Sequence, residues 1–187
     1  MNHDDELWQE FAVNGASTNQ GFPKTAFSNH AKICASAHVW IWRQTIGGDV
    51  EILLQLRSLN KISRPGYWDI STAGKINAGE TVLDTAEREA MEEIDLPIDR
   101  EKLHYIFSDY HIGTHKEFRH IFLYKINGDE EFNFNDREVT DLKWFSPSQL
   151  KSWLLDKNPK EKIVPHGDPY YSQLFAHVER LATRENS

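Results

Sequence analysis

From Ile33 to Trp42 the run ICASAHVWIW is apolar enough for a buried strand, and the turn residues Gly47-Gly48-Asp49 lead into EILLQLR, Glu51 to Arg57, its expected hairpin partner. Residues 58 to 73 read as a loop around Pro65-Gly66 with a short extended piece near Trp68 to Ile70. A helix is expected from about Thr81 to Ile94, followed by strands over Leu103 to His111 and Glu117 to Ile126, the second closing on the turn Asn127-Gly128-Asp129. A last strand near Asp141 to Phe145 runs into Ser146-Pro147, an N-cap with proline at the first helical position, and so into a helix ending about Leu155. The stretch from 168 to 185, with its apolar core between Tyr170 and Thr183, reads as one more helix. Residues 1 to 31 are polar and broken by Gly15, Gly21 and Pro23, so they read as a leading arm anchored by Leu7, Trp8 and Phe11. Strands interleaved with helices, without internal repeat or domain boundary, predict one mixed α/β domain spanning 1–187.

Composition narrows the picture. With 187 residues, 39% of them apolar and 12% aromatic, the chain can bury a core of ordinary size. A formal charge of -8 and a pI near 5.6 argue against a nucleic-acid binder, which needs a basic stripe to neutralise phosphates. An anionic substrate would therefore need a local remedy such as bound metal ions. The single cysteine, Cys34, excludes an internal disulfide and a cysteine zinc cluster, and it reads as a buried strand residue rather than a nucleophile. No secretion signal opens the sequence and no stretch is long enough to span a membrane, so the cytoplasm is the expected compartment.

The helix from Thr81 breaks its own pattern. At about 100° per residue with Glu89 at zero, Val82, Ala86, Ala90, Leu83 and Ile94 define an apolar arc from roughly 20° to 140°. Glu93 falls at about 40°, inside that arc, with Glu89 on its edge and Glu92 about 60° beyond. A solvated acidic face with Arg88 paired to Glu92 explains Glu92 and leaves Glu93 unexplained. A carboxylate turned toward a core must be protonated, paired or bound to a cation, because desolvating it alone costs several kcal/mol. Oxygen-rich clusters suit hard divalent ions, Mg²⁺ above all.

The spacing carries further. Gly74, five residues, Glu80, seven residues, Arg88-Glu89, two residues, Glu92-Glu93 resembles the Nudix box, with Ala90 in place of a bulky aliphatic residue and Asp95 in place of glycine. The second departure costs roughly 1 kcal/mol where the helix ends in a left-handed cap. The resemblance implies a Nudix fold, a mixed β-sheet sandwiched between α-helices, with residues 74–96 as loop, helix and loop. It implies hydrolysis of a diphosphate linkage in a small metabolite, with Mg²⁺ or Mn²⁺ as cofactor. Carried over, Glu89, Glu92 and Glu93 are the metal ligands, with Gly74 offering its carbonyl. Glu92 or Glu89 acts on the attacking water, Arg88 orients the cluster and Glu80 fixes the loop. A homodimer is the family habit.

From about Ile33 to Leu150, "LLQLRSLNKISRPGYWDIS" and "FNDREVTDLKWFSPSQL" resemble the branch that holds isopentenyl diphosphate isomerase and its hydrolase relatives. There a basic pair matching Arg57 and Lys61 meets the diphosphate; ordinary surface placement explains the same two residues equally well. The isomerase's cysteine and metal-binding histidine fall on Ala73 and Lys75, another of its ligand histidines falls on Cys34, and one of its paired glutamates falls on His115, leaving Glu117. Glu117 and Glu138 are candidates for a further metal contact, and a strand or loop acid in solvent accounts for each as well. His111, His115 and His120 could ring a site or be ordinary packing. Trp40, Trp42, Tyr67 and Trp68 could stack a base or line a prenyl pocket, with core packing the more economical account. A hydrolase leads, with the isomerase and a binding module without turnover as the alternatives.

Overall fold

The computed structural model describes residues 7–26, 32–113, 115–134, 138–156 and 160–185. The apolar run from Ile33 forms strand β3 (Ile33–Gln44), whose partner across the glycine turn is β4 (Val50–Arg57). Two strands precede them, β1 (Leu7–Phe11) and β2 (Ser17–Pro23). After β4 come β5 (Trp68–Asp69), β6 (Thr72–Lys75) and helix α1 (Val82–Ile94), then β7 (Leu103–Ile112), β8 (Lys116–Lys125), β9 (Val139–Phe145), α2 (Pro147–Leu155) and α3 (Asp168–Glu185).

The main sheet has seven strands in the order β5-β4-β3-β8-β7, with β6 on β3 and β9 on β4. Strand β3 is its centre and runs parallel to β8 over ten paired positions from Ile33↔Lys116 to Trp42↔Lys125. Because strand side chains alternate, β3 serves two layers. Ala37, Val39 and Ile41 pack with Ala86 and Ile94 of α1, whereas Trp40 and Trp42 pack with Leu150 of α2 and with Tyr170, Leu174 and Val178 of α3. Trp40, Trp42 and Trp68 are therefore core residues, as packing economy suggested. Cys34 is fully buried, and burial, opposed by Lys75, pushes its thiol up to about 12, the inert strand residue expected. No helix among the described residues is long and apolar enough to cross a membrane.

The leading arm differs from expectation. It forms an antiparallel hairpin of β1 and β2 whose β1 also docks on the loop after β6: Gln9 N donates to Ile76 O at 2.8 Å and Ala78 N to Leu7 O at 2.7 Å. The sequence concealed β2 because STNQGFP is polar, with Phe22 alone buried, so its pairing comes from β1 rather than from an apolar face. Residues 1–6 and 27–31 of the arm lie outside the described residues.

The centre of the sheet contains a fork. Strands β3 and β4 pair only at Gln44↔Val50, Arg43↔Glu51 and Trp42↔Ile52, beside their turn. The next rung would be Ile41 with Leu53, and the Ser71 hydroxyl stands in its place, accepting from Ile41 N at 2.8 Å and donating to Leu53 O at 2.5 Å. Beyond it the strands part, β6 continuing along β3 and β5 along β4. Ser71→Ala leaves a buried amide and a buried carbonyl unpaired, and its expected cost is about 1–3 kcal/mol in urea unfolding; an unchanged midpoint would show that the bridge contributes nothing.

Candidate active site

Helix α1 starts at Thr81, whose side chain accepts from Asp84 N while Asp84 reaches back to the Thr81 backbone, a capping box. It ends at Asp95, a left-handed residue at φ 57°, where glycine would be more comfortable. Asn133 offsets part of that strain, donating from Nδ2 to Asp95 Oδ2 at 3.3 Å. With both ends fixed, the acidic shoulder of α1 is held against β6. A Cβ on Gly74 would stand 1.7 Å from Glu89 Oε1, so any larger residue there evicts the carboxylate.

Arg88 organises the charges. Its five N–H groups meet five acceptors: Nε and Nη2 fork onto the two oxygens of Glu80 (2.8 and 3.1 Å), Nη1 reaches Glu89 (2.6 Å) and Glu92 (3.0 Å), and Nη2 also donates to Lys75 O (3.0 Å). Glu80 further accepts from Asn77 N and Thr85 Oγ1, which ties the loop before the helix to the helix itself. Burial alone would raise the Glu80 carboxyl, but the Arg88 and Thr85 hydrogen bonds hold it below the usual range.

Glu93 is 5% exposed and sits where the wheel placed it, turned inward. It accepts from Ala73 N on β6 at 3.1 Å and from Gln55 Nε2 on β4 at 3.2 Å, thus spanning the fork. Burial, then the Glu89 charge, pushes its pKa well up. Glu89 is pushed up to about 7, by burial first, against the pull of Arg88 and with the charges of Glu92 and Glu138 adding to the rise. Among the described residues no three His, Cys, Asp or Glu side chains converge closely enough, as arranged, to hold an ion. Two desolvated carboxylates beside a half-exposed third nevertheless form an all-oxygen donor set in which a divalent cation can take the place of a proton, and that chemistry fits Mg²⁺ or Mn²⁺.

A cavity of about 480 Å³ opens beside Glu89 and Glu92 and reaches across β6 to the face of the sheet that carries α3. Arg57 and Lys61 both line it, neither lying out on the plain surface. Arg57 Nη1 donates to Asp69 at 3.0 Å and its other nitrogens hold the Ser63 carbonyl, while Lys61 is ion-paired with Glu138. Glu117 is buried rather than an exposed strand acid, lines the same cavity as Glu89 and Glu92, and is paired with Lys75 and with His115 Nε2 at 2.9 Å. Burial would raise its carboxyl, but the Lys75 charge and the His115 hydrogen bond hold it well below the usual range. Of the three histidines, His111 and His115 line the cavity and His120 does not. Sequence reasoning missed His38, Asp69, Arg119, His166 and the buried Tyr170 behind them. One signal was present: Ser36 and His38 are polar positions two apart in an otherwise apolar strand, hence on one face.

The NUDIX domain family matches residues 34–166. Nudix hydrolase 3 of Arabidopsis thaliana is 30% identical over 182 residues, covering 91% of this chain and 23% of its own length, so the chain spans about a quarter of that relative. An isopentenyl-diphosphate Delta-isomerase of Cutibacterium acnes is 31% identical over 65 residues, 35% of this chain and 32% of its own. Among solved structures, DR0079 from Deinococcus radiodurans superposes with a TM-score of 0.64 at 18% identity, covering 94% of this chain and 98% of that one. The domain match takes in β3 through β9, α1 with its carboxylates and the cavity they border, and on that match the chain belongs to the Nudix family.

Proposed function

We propose that this chain is a divalent-cation-dependent hydrolase that cleaves the diphosphate linkage of a small metabolite, a nucleoside diphosphate derivative or another organic diphosphate. The observation that carries the reading is the pair of desolvated carboxylates, Glu89 against Gly74 and Glu93 in the fork, beside a cavity with Arg57 and Lys61 on its wall. In this reading Glu89, Glu92 and Glu93, with the Gly74 carbonyl, hold Mg²⁺ or Mn²⁺. When bound, the ion neutralises the diphosphate and acidifies a water near it. Glu92 or Glu89 takes the proton from the attacking water, whose oxygen bonds to phosphorus as the bridging P–O bond breaks. Arg88 keeps these two carboxylates in place through one hydrogen bond to each, and Glu80 keeps the loop in place through Asn77. Arg57 and Lys61, whose present partners are Asp69 and Glu138, meet the phosphate oxygens.

Hydrolysis is favoured over carbon-centred isomerisation by the far wall of the cavity. Moving a proton on and off carbon needs an acid and a base on opposite faces of the substrate. Position 73 is alanine, and Glu117 is held ionised by Lys75 and His115. Hydrolysis asks only for the carboxylates of α1 and water.

Product analysis with Mg²⁺ or Mn²⁺ is the direct assay: two organic phosphates are expected from nucleoside diphosphate sugars and dinucleotides, and phosphate or pyrophosphate from nucleoside triphosphates and prenyl diphosphates. Glu93→Gln keeps an oxygen for Ala73 N and is expected to fold, yet to lose at least about a hundredfold in turnover; wild-type rates in this variant would refute the metal role. Gly74→Ala should cost about 1–3 kcal/mol in stability through overpacking against Glu89. Its turnover should fall further than that loss explains, even at saturating Mg²⁺, and full activity in a folded Gly74→Ala chain would detach Gly74 from the site.

A further inference from the structure

The sheet face of the cavity holds two neutral polar side chains that the hydrolytic reading leaves unused. Ser36 and His38 lie two apart on β3 and both line the cavity, about 7 Å apart along the strand. Ser36 is 2% exposed and its hydroxyl is a buried oxygen without a hydrogen-bond partner among the described residues. A buried hydroxyl lining a cavity with no partner of its own is a group waiting for a ligand.

His38, 6% exposed, presents a defined atom to the same space. Its Nδ1 lies 2.8 Å from Tyr170 Oη, and Trp40 Nε1 lies 2.8 Å from the same oxygen. An indole N–H only donates, so it fills one lone pair of Tyr170. The tyrosine proton, buried with its side chain, is satisfied only by pointing at His38 Nδ1. Nδ1 is then an acceptor and the proton of the neutral ring is on Nε2. Burial, followed by His166, lowers the imidazole's pKa well below the usual range; Glu117 opposes and Arg119 and Lys75 lower it further.

The charged groups around them are already committed. Arg119 forks onto Asp109 and lies 4.9 Å from the Tyr170 ring, Lys75 and His115 hold Glu117, and His166 Nε2 meets Asp69 at 2.9 Å. A second phosphate would have to break these pairs. A hydroxyl would not, since it can accept from His38 Nε2–H and donate to Ser36 Oγ.

We propose that Ser36 and His38 form a subsite for the hydroxylated, sugar-like part of the substrate, with Tyr170 and Trp40 as the positioning residues that fix the His38 tautomer. The proposal rests on the diphosphate reading of the neighbouring carboxylates and specifies the organic group: a polyhydroxylated moiety rather than a prenyl chain. Lining this end with an apolar chain strands both polar groups, and sites built to hydrogen-bond a hydroxyl reject analogues that lack it.

The test reads binding and tautomer, not turnover. With Mg²⁺ present and on the Glu93→Gln background, calorimetry is run with UDP-glucose and with isopentenyl diphosphate. Ser36→Ala and His38→Phe are each expected to weaken UDP-glucose about tenfold and to leave isopentenyl diphosphate within about twofold. Ser36→Ala removes one atom and keeps the test valid should His38→Phe not fold. Nitrogen-15 NMR should find His38 as the Nε2–H tautomer in the otherwise unmodified chain and as a mixture in Tyr170→Phe. Tighter binding of isopentenyl diphosphate, no binding of UDP-glucose, equal losses for both ligands, or an Nδ1–H tautomer overturns the subsite. Binding of UDP-glucose with these losses, but no formation of UMP and glucose 1-phosphate by the wild type, would uphold the subsite and count against the hydrolase reading alone.

Discussion

The fork between β3 and β4 is the constraint on which the rest of the site depends. Two antiparallel strands that stop pairing after three rungs leave backbone donors and acceptors that burial forbids to stay unpaired. Ser71 closes the crotch of the fork, and Glu93 spans its open end by accepting from Ala73 N on one branch and Gln55 on the other. The inward carboxylate on α1 is thus demanded by the sheet, which needs an acceptor there, before any chemistry is asked of it. An apolar residue in its place would leave the Ala73 amide unpaired, at a cost of about 1–3 kcal/mol.

Having admitted one buried carboxylate, the helix must manage its neighbours. Glu89 and Glu93 face the same wall of β6; burial raises the proton affinity of both, the Glu89 charge adding to the rise at Glu93 and the charges of Glu92 and Glu138 to that at Glu89. Arg88 relieves only the outer side, since its five donors are spent on Glu80, Glu89, Glu92 and the Lys75 carbonyl. The excess of negative charge therefore remains at the Glu89 and Glu93 side of the cluster, next to Gly74, where the missing side chain leaves room. In the proposed reading this excess charge is what a small divalent cation would neutralise, and that is the physical content of the spacing from Gly74 to Glu93.

That spacing was legible because each of its positions has a local cause: a glycine for close approach, a helix for the carboxylates, an arginine one position before the first of them. Strands β3, β4, β7, β8 and β9 and helices α1, α2 and α3 were legible for the same reason, from period and caps, whereas β6 reads as loop until β3 is beside it. What stayed hidden depends on long-range pairing. Strand β2 has one buried residue and reads as coil until β1 is beside it. Arg57 and Lys61 read as surface or as phosphate ligands, and only the fold showed that they line the cavity while held by Asp69 and Glu138. His166 and Tyr170 come from the segment entering α3, far along the chain from β3, and no periodicity in either segment announces that they meet His38.

Strand β3 joins these two levels because its alternation gives each face a separate task. Ala37, Val39 and Ile41 seat the helix that bears the carboxylates; Ser36, His38 and Trp40, interleaved with them, face the cavity wall and α3. A substitution on one face changes the seat of α1 without touching the other wall, and the reverse also holds so long as the strand keeps its register with β8. The register itself is secured by the ten-position parallel ladder and by Trp40 and Trp42 in the core beneath α3. A rigid central strand with independent faces lets the carboxylates of α1 stay fixed while side chains on the opposite face change, and the Ser36 hydroxyl, without a hydrogen-bond partner among the described residues, lies on that second face.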